Sequence, residues 1–106
     1  MSSERERLRA VALETLRDVI DPEVGLNIVD LGLVYGVDAV GGGLQVQLTM
    51  TTPACPLGDE IVRDAEARLR ALPGVRAVTV ELVWEPAWGP ERMSAYAKEL
   101  LGWSPP

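Results

Sequence analysis

Cys55 is the only cysteine in the chain and stands in Thr51-Thr52-Pro53-Ala54-Cys55-Pro56-Leu57. One proline lies two residues before the thiol and another directly after it. The following stretch, Leu57 to Leu72, has an apolar stripe of Leu57, Ile61, Ala65, Leu69 and Leu72 and reads as an amphipathic helix. The sulfur is therefore expected at a helix start, where unpaired N–H groups and the positive end of the dipole favour a thiolate. The strand-to-helix junction is also where α/β folds tend to place ligands. Asp59 and Glu60 act the other way, because nearby carboxylates raise a thiol pKa. A free cysteine also serves as a small buried hydrophobe. Local sequence leaves both roles open, a reactive thiol and inert packing.

Asp21-Pro22-Glu23 is the second candidate. Two carboxylates flank a rigid residue, which suits either a plain turn or an acidic contact. Placed near Cys55, they could bind a hard or borderline metal beside the thiolate, or dock a basic partner. Asn27 and Asp30, in Asn27-Ile28-Val29-Asp30-Leu31-Gly32, suit turn caps, and Gly32 suits a bulge or a close backbone approach. Trp84 and Trp88 around Glu85-Pro86 are expected as core and loop anchors, with an exposed partner contact as the other role of Trp88.

Composition removes several classes of chemistry. The chain has no histidine, so it can form neither a Cys–His nor a Ser–His pair and offers no imidazole to a metal. Asp and Glu total 16 against 10 Lys and Arg, a formal net charge of −6. That balance speaks against nucleic acid and against anionic membrane surfaces. A lone cysteine excludes an intrachain disulfide and suits a reducing compartment. No apolar run approaches the ~20 residues of a membrane span, and the polar N-terminus has no signal-peptide pattern. A cytoplasmic location is expected.

Periodicity supplies the elements that must carry these residues. Ser3-x-x-Glu6 is a capping box, and Leu8, Val11, Ala12, Leu16, Val19 and Ile20 continue at helical spacing, predicting a helix over about Glu4 to Val19. From Val29 the period becomes two, with Leu31, Leu33, Tyr35, Val37 and Ala39 on one side. Gly41-Gly42-Gly43 turns the chain, and Leu44, Val46, Leu48 and Met50 alternate with Gln45, Gln47 and Thr49. Pro73-Gly74 ends the second helix, and Val78 to Trp84 forms a third strand. A last helix is predicted from Pro90 through Leu101. The order α-β-β-α-β-α predicts one domain over residues 1–106, an α/β (α+β) two-layer sandwich. Its mixed sheet has helices on one face, with Gln45, Gln47, Thr49, Thr79 and Glu81 on the solvated face.

Taken together, the motifs resemble the metal–sulfur cluster assembly factor family, whose members include SufT-like and PaaD-like proteins and the cytosolic iron–sulfur targeting factors. The residues concerned are Asp21-Pro22-Glu23, Asn27 to Tyr35, Thr51 to Leu57, Leu72 to Val75, and Val83 to Trp88. The resemblance implies an iron–sulfur cluster assembly domain-like fold and a part in assembling or delivering iron–sulfur clusters. It makes Cys55 the functional thiol and Asp21 and Glu23 the acidic motif, with Asn27, Asp30, Thr52, Pro53 and Trp88 in support. No further cysteine and no P-loop follow, so the resemblance is to a short SufT-like protein rather than to a PaaD protein or an ATPase.

Iron–sulfur clusters want about four thiolates. One cysteine per chain implies no stably bound cofactor, and at most transient iron or a transient cluster at Cys55. A retained cluster would need a homodimer joining two Cys55 thiolates plus outside ligands. The expected partners are iron–sulfur carrier or recipient proteins, in a role that is not enzymatic. The alternatives are a partner of a multicomponent aromatic oxygenase and a small thiol redox enzyme, the latter lacking a resolving cysteine and a histidine.

Overall fold

The computed structural model describes residues 3–51 and 58–103, so Thr52, Pro53 and Cys55 lie outside the described residues. Helix α1 (Glu4–Leu16) starts at Ser3, whose hydroxyl accepts from the Glu6 N–H at 3.1 Å. It stops short of the predicted Val19. The Arg17 and Asp18 N–H groups reach back only three residues, to Glu14 and Thr15, and this tightened turn leads the chain out of the helix. Two short strands follow, β1 (Ile20–Asp21) and β2 (Leu26–Asn27), paired antiparallel. This small hairpin surrounds the Asp-Pro-Glu segment and was not predicted, because two-residue strands carry no periodicity.

The main sheet contains β3 (Val34–Val40), β4 (Gly43–Leu48) and β5 (Val78–Leu82) in that order. β3 and β4 form the predicted antiparallel hairpin. β4 and β5 run parallel and are joined through α2 (Gly58–Arg70). Leu44, Val46 and Leu48 are buried, with Gln45 and Gln47 exposed between them. On the apolar face α1 packs against β3, α2 against β5, and the two helices against each other. Ala12, Leu16, Ile61, Ala65 and Leu69 complete the core.

The predicted alternation from Val29 does not run unbroken. β3 begins at Val34, and its pairing with β4 shifts between Val34 and Gly36. Leu31 and Leu33 are buried, but in a preceding loop, and the shift takes Tyr35 out of the core series. Thr49, expected on the solvated face, is 1% exposed, and its N–H bonds the Leu33 carbonyl at 2.8 Å. The last helix is also divided. A 3₁₀ turn (Pro90–Arg92) precedes extended Met93, and α3 (Ala95–Leu100) starts at Ser94. The Ser94 hydroxyl caps the Ala97 N–H, while its own N–H donates to the Asp30 carbonyl at 2.8 Å. A residue so engaged begins a helix rather than continuing one.

Candidate functional site

The two acids of Asp21-Pro22-Glu23 occupy different environments. Asp21 is 2% exposed, and one of its carboxylate oxygens accepts from the Glu23 N–H at 2.9 Å. Its carbonyl accepts from Val24 and Gly25. Asp21 thus ties the turn between β1 and β2 together, an Asx turn in which the side chain replaces a backbone acceptor. Glu23 is exposed and leaves its charge to solvent or to a partner.

Asn27 and Asp30 are joined directly. The Asn27 amide donates to the Asp30 carboxylate at 2.6 Å and accepts from the Asp30 N–H at 2.9 Å. Arg17 approaches the same carboxylate at 3.4 Å. The Asn27 amide holds the Asp30 carboxyl below the usual aspartate range, and it does so against partial burial. Ser94 and the Arg17 guanidinium act in the same direction as Asn27. The strand register Ile20↔Asn27 couples this network to the acidic turn.

Trp88 meets the network one residue further on, its indole N–H donating to the Leu31 carbonyl at 2.8 Å. Trp88 is therefore the expected anchor. Trp84 is not, since it is 42% exposed beyond the end of β5. Gly32 shows the close backbone approach expected of it. Its φ is +78°, and an added Cβ would overlap the Arg92 carbonyl. Sequence reasoning missed Arg17, Ser94 and Arg92. They are distant in sequence, and no local pattern tied them to Asp30 or Gly32.

The hairpin turn and α2 face each other across a cleft of about 170 Å³ lined by Ile20, Pro22, Glu60, Ile61 and Asp64. The acidic turn accordingly lies beside the first turns of α2, the helix that follows segment 52–57. Among the described residues, no three His, Cys, Asp or Glu side chains converge as a metal site. A larger groove of about 630 Å³ opens on the polar side of the sheet, where the Arg92 guanidinium lies 4.8 Å over the Tyr35 ring and the Tyr35 hydroxyl donates to the Pro86 carbonyl. No helix among the described residues is long and apolar enough to cross a membrane.

The chain resembles proteins already characterised by name and by structure. Residues 9–82 match the family described as iron–sulfur cluster assembly protein. The chain is 43% identical over 98 residues to the Fe-S protein maturation auxiliary factor YitW of Bacillus subtilis (strain 168), covering 92% of this chain and 96% of that one. It is 42% identical over 85 residues to the Fe-S protein maturation auxiliary factor SufT of Staphylococcus aureus (strain USA300), covering 79% of this chain and 97% of that one. The crystal structure of a DUF59 domain from Bacillus anthracis superposes with a TM-score of 0.89 at 41% identity, covering 92% of this chain and 94% of that chain. Motifs, fold and similarity agree, and the chain belongs to the iron–sulfur cluster assembly protein family.

Proposed function

We propose that this protein is an accessory factor that helps assemble iron–sulfur clusters or deliver them to recipient proteins. In this reading Cys55 is the thiol that meets iron or a cluster in transit, and Glu23, on the turn held by Asp21, is an acidic contact for a carrier or recipient. Family membership carries the reading. The residues present support a cluster as cargo rather than as a resident group. A chain with one cysteine and no histidine cannot supply the roughly four ligands a retained cluster wants. The role is that of a binding partner, since neither a catalytic base of the usual histidine type nor a second thiol is available.

Complementation tests the reading. In a strain lacking the protein and showing low iron–sulfur enzyme activity, the native chain restores that activity. Cys55→Ser, checked by thermal melting to be folded, does not. Glu23→Gln restores it partially, because charge is lost while shape is kept. Full rescue by folded Cys55→Ser would remove the thiol from the mechanism and leave a docking adaptor. No rescue by the native chain would remove the assembly role itself.

A further inference from the structure

Among the described residues the main sheet has two unpaired edges, those of β3 and β5, and on β3 the Arg9 guanidinium donates to the Val37 carbonyl at 2.9 Å, whereas no side chain bonds the backbone of β5. β5 pairs with β4 on one side and is packed by α2 on one face. Bonds at the two ends of the strand establish which backbone groups face β4. The Leu44 N–H donates to the Ala77 carbonyl and the Val83 N–H to the Leu48 carbonyl, both at 2.8 Å. Backbone direction alternates along a strand, so Thr79 and Glu81 also bond toward β4. Val78, Val80 and Leu82 turn their N–H and carbonyl groups outward. Among the described residues, no turn, loop or cap hydrogen bond uses those groups. Such a row is a template for another strand.

We infer that this edge pairs antiparallel with the β5 edge of a second copy of the chain, about a two-fold axis through Val80. The inference stands apart from the proposed function and does not depend on Cys55. In this register Val80 faces its own counterpart, and Val78 faces Leu82 of the partner subunit. These are the outward-directed residues, so each pair exchanges both backbone bonds. On the solvated face exposed Thr79 lies opposite the partner's Glu81, and its hydroxyl can donate to that carboxylate. A register centred on Glu81 would set two like charges directly opposite and is disfavoured. The occupant is thus chosen by self-complementarity. A five-residue edge buries far less than the ~1,200 Å² of a stable interface, so the pair is weak and forms only in concentrated protein. The net charge of −6 on each copy opposes pairing, and added salt screens that repulsion.

Sedimentation equilibrium up to about 1 mM chain tests the edge, with charge reversal at position 79 as the probe. Thr79→Lys places a cation opposite Glu81 twice per dimer and tightens pairing by roughly 2- to 30-fold, whereas Thr79→Glu loosens it by a similar factor. Ala71→Lys and Ala71→Glu, at an exposed site off the edge, make the same changes in net charge and control for it. Thermal melting checks that all four variants fold. Native dimer that strengthens between low and high salt, with Thr79 variants moving well beyond the Ala71 controls, supports the pairing. A chain that remains monomeric even as Thr79→Lys overturns it. So does a dimer whose Kd follows net charge alone, since that association uses another surface.

Discussion

Asp21 and Glu23 are two residues apart, yet burial divides them into a structural acid and an exposed one. Removing the buried carboxylate leaves the Glu23 N–H without its partner. Asp21→Ala is therefore expected to cost about 1–3 kcal/mol, with an unchanged Tm for Glu23→Gln. Paired thermal melts compare them. Asp30 supplies a second prediction. Its folded pKa lies below the ordinary aspartate value, because Asn27, Ser94 and Arg17 stabilise the charged form. A depressed carboxylate adds stability that is fully present above the unfolded pKa of about 3.9 and is lost as pH falls through the lower folded value. Denaturant titrations from pH 6 downward should show the native chain losing stability below about pH 4. Asp30→Asn should be less stable at pH 6 and should lose less over the acid range. A native profile no steeper than that of Asp30→Asn would refute the assignment.

The elements hold their positions through a shared apolar core. Leu69 is fully buried on the α2 stripe beneath the sheet. Leu69→Ala should cost about 2–5 kcal/mol in chemical unfolding, depending on how far the core closes over the cavity. Gly32 lets the 28–33 loop approach the 3₁₀ turn. Gly32→Ala combines a positive φ with overlap on backbone at Arg92, neither of which a side-chain movement relieves. It should lower stability by at least about 1 kcal/mol and more than the same change at Gly74, where an added Cβ meets nothing within 4 Å. Gly74 also has positive φ, so the comparison isolates the steric part.

At the scale of the molecule, the decisive number is one thiol in a chain without histidine. Protein purified in air should carry far less than one iron per chain and show no visible cluster absorption, measured by metal analysis and spectroscopy after gel filtration. Several irons per chain surviving that step would contradict the cargo reading. The excess of acidic side chains belongs to the same scale. It makes any self-association salt-sensitive.

Several features follow from local sequence alone. The α1 cap at Ser3, the β3–β4 hairpin about Gly41-Gly42, and the buried stripe Ile61, Ala65 and Leu69 of α2 were legible because caps, turns and periodicity act over a few residues. The family's motifs were legible for the same reason, as residue types at fixed spacing. Tertiary structure decided what depends on partners far along the chain. It divided the last helix at Ser94, whose N–H is held by Asp30, and it buried Thr49 against Leu33. It assigned Asp21 to the turn and left Glu23 exposed, and it set that turn across a cleft from α2. The physical reason is desolvation. Whether a polar group ends in water or on another group depends on which segments cover it, and no local pattern records that choice.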